Sequence, residues 1–260
     1  MKQPLAYVHP EAKVADNVVI EPFVSIDKDV VIGEGTRIGS SVTILPGTRI
    51  GKNCNIFPGA VIGAIPQDLK FQGEYTTVEI GNNTTIREFV TVHRGTASKG
   101  KTVVGSNCLI MAYVHIAHDC RLGNNIILGN NTQLAGEVIV DDWAIISGMT
   151  GVHQFCHVGS HVMIGGGSLV RKDVPPFIKA GREPLSYVGI NSIGLRRRAF
   201  TNEKIREIQD IYRYIYQKGL NTSQATEIIE AEMPASPERD EILLFVKDSK
   251  RGIIRGYFPD

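Results

Sequence analysis

The feature that most limits what this chain can fold into is a beat of six. From Val8 every sixth residue through Ile62 is Val or Ile, and the beat returns at Ile80, Ile86 and Val92, then from Val104 to Val170. Among the positions sampled this way between 8 and 170, only Asp68, Glu74 and Ser98 are not aliphatic. A period of six is neither that of a helix nor that of an ordinary strand, so it marks an internal repeat. It fits a mainly β architecture, a parallel β-helix in which each hexapeptide makes one short strand and one corner. Three hexapeptides complete a triangular coil. The aliphatic residue points into the prism and stacks on its equivalents about 4.8 Å above and below, the spacing of neighbouring strands.

Other residue types agree with this phase. Gly follows the beat at Gly33, Gly51, Gly81, Gly105, Gly123 and Gly159, and Asn clusters next to it, as tight corners require. Cys54, Cys108, Cys120 and Cys156 all fall two residues before a beat position, where Ala, Val and Thr otherwise sit. They are expected to be buried reduced thiols rather than disulfides or metal ligands, and no CxxC pair suggests zinc.

Two stretches leave the beat, near 64–77 and 93–102, and are expected to be loops pushed out of the prism. Long excursions in compact folds are more often functional than idle. The repeat is expected to stop at Pro175 and Pro176, which cannot donate to a strand ladder. Beyond about Tyr187 the period becomes helical. Thr201 caps a helix with Ile205, Ile208, Tyr212 and Ile215 on its apolar face, a second runs from about Ser223 to Met233, and a third starts at Ser236-Pro237. The expected organisation is a β-helix over 1–186 and a helical unit over 187–260 that covers the open end of the prism.

A net charge of +1 argues against a general polyanion binder, so no nucleic-acid partner is expected. The start MKQPLAYVHPEAKV has no apolar core of signal-peptide length, and no apolar run is long enough to span a bilayer. These point to a cytoplasmic chain with no stable membrane insertion.

The chemistry concentrates in MAYVHIAHDC. Ile116 is an inward beat position, which puts His115 and His118 outside, with Asp119 beside His118. A carboxylate next to a histidine orients the ring and stabilises its protonated form, which suits a general base. Spacing alone is equally compatible with two ordinary surface histidines. One coil on, the arithmetic stacks Gly136 over His118 and Glu137 over Asp119, and Gln154 follows Gly136. His153, His157 and His161 fall at other phases, so a metal triad within one subunit is not indicated, while ligands shared across subunits stay open. Arg196, Arg197 and Arg198 form either a solvated charge run or a phosphate-binding group.

Taken together, IPQDLKF, VEIGNNTTIRE, VTVHRGT, HIAHDC, QLAG, GMTGVHQFC, HVMIGG, DVPPF and GINSIGLRRRAF give a chain that resembles the UDP-N-acetylglucosamine O-acyltransferases, the first enzymes of lipid A synthesis in Gram-negative bacteria. The resemblance spans nearly the whole chain. It implies a left-handed parallel β-helix with a C-terminal α-helical domain, assembled as a homotrimer with sites in the clefts between subunits. The implied reaction moves an (R)-3-hydroxyacyl group from acyl carrier protein to the 3-hydroxyl of UDP-N-acetylglucosamine, with no metal or cofactor. Matched residue by residue, His118 is the general base, Asp119 its carboxylate partner and Gly136 the donor to the oxyanion. Asp68, Lys70, His115, His153 and Gln154 match substrate contacts, and Asn191, Arg197 and Arg198 match positions near the nucleotide. Gly166, with Met163 nearby, matches the ruler of acyl length. Glu137 departs from the family's histidine and puts the sugar contact there in question. The alternatives are another hexapeptide-repeat sugar O- or N-acyltransferase and, from a different class, a trimeric zinc carbonic anhydrase-like protein.

Overall fold

The structure is a computed structural model that describes residues 4–256, so the outermost parts of both expected units lie outside the described residues. Twenty-five short strands, β1 (Tyr7–Val8) to β25 (Leu169–Val170), alternate with corners, and in most of them the beat residue is the buried second position. These strands stack into three parallel ladders, here called sheets I, II and III, which begin with the first, second and third strands and hold nine, eight and eight of them; three later strands extend sheet III to eleven. The hexapeptides wind a left-handed parallel β-helix. Ile26, Ile38, Ile44, Ile62, Ile86, Ile110 and Ile116 are completely buried along the prism axis, and all four cysteines are buried and free.

In the regular coils pairing steps by eighteen residues, as in Tyr7↔Ser25 and His115↔Gln133. Across the first excursion Val61 pairs with Thr91, and across the second Thr91 pairs with His115. The first excursion thus inserts two hexapeptides and the second inserts one. Because both are whole multiples of the repeat, the beat returns in phase, and the three hexapeptides displaced from the prism are those of Asp68, Glu74 and Ser98. Both loops leave at the same edge, where sheet I passes into sheet II. His118, Gly136 and Gln154 lie on that edge too.

The end of the prism differs from the expected stop at the prolines. Beyond them, β26 (Ile178–Gly181) continues sheet III by pairing with Met163–Ile164, then turns back on β27 (Ser186–Ile190), to which β28 (Arg255–Gly256) adds. Pro175 and Pro176 sit in a corner, where no ladder donor is required, and the Tyr212 hydroxyl donates to the Pro176 carbonyl at 2.6 Å. A short helix, α1 (Ser192–Arg197), precedes α2 (Asn202–Gln217), so the arginine run ends a helix rather than leading into one. Helices α2, α3 (Thr222–Glu232) and α4 (Pro237–Asp248) start at caps Thr201, Asn221 and Ser236, two of them at the expected residue. They pack on the last coils through Tyr212, through Phe245 against the His157 ring, and through a Ser160–Glu241 hydrogen bond.

Candidate active site

His118 is placed by its corner and covered by the excursions. Its side chain points away from the prism, as the phase requires, yet only 8 % of the residue is exposed, and Asp119 is buried as well. Loop 94–100 supplies the cover. Asp119 accepts from the Thr96 hydroxyl at 2.6 Å and the Thr96 and Lys99 amides at 3.0 and 3.3 Å, while its own amide donates to the Thr102 hydroxyl at 2.8 Å. A buried carboxylate with that many donors is satisfied and held in place. It accepts Nδ1–H of His118 at 2.9 Å, which fixes the ring and leaves the Nε2 lone pair outward. Asp68, from the first excursion, reaches back over two coils to 3.8 Å from Nε2.

One coil above His118, Gly136 lies flat against the ring. A Cβ built there falls 2.5 Å from both Cε1 and Nε2, so no side chain fits without moving the imidazole. The Gly136 carbonyl accepts from the Phe155 amide, whereas the Gly136 N–H meets no acceptor among the described residues. The site therefore pairs a base with a free backbone donor beside it. Glu137 is half-buried on the same corner with no side-chain partner among the described residues, and its amide donates to the His118 carbonyl at 3.0 Å.

Two further histidines line this edge. His115 bonds through Nδ1 to the Thr91 hydroxyl at 2.7 Å and meets the His93 ring edge-on at 4.7 Å. Burial, with the neighbouring His118, holds the His115 ring below its usual pKa. His93 is buried and its Nδ1 has no partner; burial, then the neighbouring His115 and His118, push it down to about 4. His93, Thr91, Thr96 and Thr102 carried no signal in an eighteen-residue comparison because the excursions change the step. Counting twenty-four across the second excursion sets Thr91 under His115.

The remaining expected residues spread over all three edges. His153 and Gln154 continue the His118 edge; the His153 ring is exposed, with Nδ1 on its neighbour's carbonyl. Lys70 is exposed, its amide donating to Asp68. Where sheet II meets sheet III, Arg198 lies over the Trp143 ring at 5.1 Å and donates to the Trp143 carbonyl, and burial pulls its pKa down. Arg197 beside it is exposed. Asn191 caps α1, accepting from the Gly194 amide and donating to the His161 carbonyl, so both ends of its amide are engaged within the chain. Gly166 and Met163 occupy the third region, toward the sheet III–I edge, both exposed. Among the described residues no group of three or more His, Cys, Asp and Glu side chains is placed to hold a metal, and no helix is long and apolar enough to cross a membrane.

The hexapeptide prism and the relatives it matches make this a hexapeptide-repeat acyltransferase. Residues 101–136 match the bacterial transferase hexapeptide repeat, 2–69 the C-terminal domain model named GMPPB, and 173–254 the second domain of UDP-N-acetylglucosamine O-acyltransferase. A Thiobacillus denitrificans protein named acyl-[acyl-carrier-protein]–UDP-N-acetylglucosamine O-acyltransferase is 49% identical over 253 residues, 97% of this chain and 98% of that one. A solved UDP-N-acetylglucosamine acyltransferase from Bacteroides fragilis superposes with a TM-score of 0.97 at 60% identity, covering 98% of this chain and 100% of its own. One from Francisella novicida gives 0.95 at 45% identity, covering 98% and 94%. The chain belongs to the UDP-N-acetylglucosamine O-acyltransferase family.

Proposed function

We propose that this chain transfers an (R)-3-hydroxyacyl group from acyl carrier protein to the 3-hydroxyl of UDP-N-acetylglucosamine, the first step of lipid A biosynthesis. Support for the substrates comes from the names of its relatives. The observation that carries the chemistry is His118, fixed through Nδ1 on buried Asp119, with Nε2 on the outer edge of the ring that Gly136, its N–H unbonded, lies against. His118 Nε2 takes the proton of the sugar hydroxyl, whose oxygen attacks the thioester carbonyl. The Gly136 N–H donates to the tetrahedral oxyanion. As that intermediate collapses, the proton passes from His118 to the departing thiolate, and no bond to the enzyme forms.

Asp68, Lys70, His115, Glu137, His153 and Gln154 line the same edge and contact sugar and acyl donor in this reading. Asn191, Arg197 and Arg198 serve the nucleotide, Asn191 by holding α1 that carries Arg197. Within one chain these groups sit on different edges of the prism, so the reading includes a homotrimer in which one subunit's edge meets another's face. The outward faces of Leu109, Ile127, Ile145 and Met163 on sheet III, with Phe89, Tyr113 and Met149 exposed beside them, supply apolar surface for that contact. We assign the chain to the cytoplasm, where its free thiols stay reduced, and divide it into a β-helix over 1–186 and a helical unit over 187–260.

Incubation with UDP-N-acetylglucosamine and 3-hydroxyacyl carrier proteins of graded length, read by mass spectrometry of the nucleotide sugar, tests the reaction. Failure with every length and with amino-sugar acceptors would refute it. Stoichiometric zinc whose removal abolishes activity would favour the carbonic anhydrase-like reading instead. If Gly166 is the ruler, Gly166→Met shifts preference to shorter chains, and unchanged selectivity rejects the role.

A further inference from the structure

The three residues that break the aliphatic beat, Asp68, Glu74 and Ser98, sit in the excursions, and of the two with no part in the chemistry above Glu74 is the one whose side chain joins both loops. Its carboxylate spans the two loops. Oε1 accepts the Ala97 amide at 2.8 Å, and Oε2 accepts the Gln72 amide at 2.8 Å. Backbone bonds join the two excursions at their roots, from the Arg94 amide to Ala64, the Gly95 amide to Thr77 and the Thr77 amide to Gly100. Between the inner spans 65–76 and 94–100 the Glu74–Ala97 bond is the only hydrogen bond among the described residues, with the Arg94 guanidinium over the Phe71 ring at 5.6 Å beside it. The loops differ in how they are held. Loop 94–100 is fastened to buried Asp119 through Thr96 and Lys99, and Asp119 in turn fixes His118. Loop 65–76 bears Asp68, and beyond the bond to Ala97 it is tied at its far end, where the Tyr75 hydroxyl donates to Asp29, itself paired with Arg49. The backbone amide of Glu74 itself first, then those of Gln72 and Ala97, hold the Glu74 carboxyl below the usual range, so the clasp is charged and accepts at both oxygens.

We propose that Glu74 is a positioning residue that clamps the Asp68 loop onto the fixed loop 94–100 and thereby sets Asp68 against the Nε2 edge of His118. A carboxylate 3.8 Å from Nε2 leaves room for a hydroxyl that donates to one and lies against the other. Release of loop 65–76 would let Asp68 drift from that spacing while His118, Asp119 and Gly136 keep theirs. A shift of about 1 Å at such a site costs on the order of a hundredfold in rate. The proposal rests on the acyl-transfer reading for its kinetic effect and on the loop geometry for its structural one.

The test uses the full-length protein and Glu74→Ala, with Glu74→Gln, which keeps one acceptor, as the conservative partner. Glu74→Ala is expected to lower kcat/KM about thirtyfold, and Glu74→Gln by less. In an Asp68→Asn background, Glu74→Ala should cost no more than about threefold, because the group it positions is already gone. Amide hydrogen exchange should quicken in 65–76 and stay unchanged in the strands, with an unchanged melting temperature. Equal losses in both backgrounds, wild-type turnover in Glu74→Ala, or unchanged exchange in 65–76 would each overturn the clamp. Should Glu74→Ala not fold, exchange and kinetics of Glu74→Gln decide in the same way. An inactive wild type would count against acyl transfer, and the exchange data would still judge the clasp.

Discussion

The prism has two corners built on the same backbone turn and used in opposite ways. Where sheet II meets sheet III, the next coil closes each corner amide: Asn82 accepts from Lys52, Ser106 from Asn82, Asn124 from Ser106 and Asp142 from Asn124, at 2.7 to 3.0 Å. Where sheet I meets sheet II, the equivalent residues are His118, Gly136 and Gln154, and the Gly136 amide is left open. A ladder of short oxygen-bearing side chains takes up the Lys52, Asn82, Ser106 and Asn124 amides, so those four donors are spent within the chain. Replacing those side chains by an imidazole and a hydrogen leaves an unspent donor beside a base. Function here is a corner that withholds its own cap.

The contrast breaks most sharply at His118. His118→Ala should reduce turnover by about a thousandfold, within the usual range for a general base, with an unaltered melting temperature. Near-normal kcat would remove the histidine from the mechanism. Gly136→Ala should follow, with about a hundredfold loss of kcat, since the added methyl displaces the ring it would meet at 2.5 Å. Retained activity would show that the ring has room to yield.

Acid should act on the functional edge through His93. Its folded pKa, about 4, lies below the ordinary 6.5, so the unfolded chain takes up this proton first as pH falls. The contribution is intact above about pH 6.5 and is lost as pH drops toward 4, by up to about 3 kcal/mol. Melting curves between pH 7 and 4 check this: His93→Phe should flatten the decline, and an identical slope would exclude His93 as its source. The smallest effect belongs to the capped corner. Asn124→Ala strips the Ser106 amide of its acceptor and should cost about 1 kcal/mol of stability with turnover untouched. A loss of activity there would blur the distinction between the two corners.

Much of this was legible in the chain because a six-residue period is local. Each aliphatic residue reports its own orientation, so the inward stack, the burial of the cysteines and the superposition of Gly136 on His118 follow from counting. The caps at Thr201 and Ser236 were legible for the same reason, since a helix start is decided within a few residues. Counting failed where partners are distant. The hairpin of β26 and β27 forms although two prolines precede it, because its strands pair with a coil already built. The burial of His118, the covering loop held by Thr96 and the unpartnered His93 were equally hidden.

The sequence by itself determined the prism, its phase, and which residues face outward at each corner, because backbone pairing and hydrophobic burial act on every repeat alike. Tertiary structure decided what the outward residues meet. The two excursions keep the phase by inserting whole hexapeptides, yet their paths depend on single contacts such as Glu74 with Ala97 and Tyr75 with Asp29. A hydrogen bond between residues more than twenty apart in the chain leaves no periodic trace, and such bonds are what turned a surface histidine into a covered one.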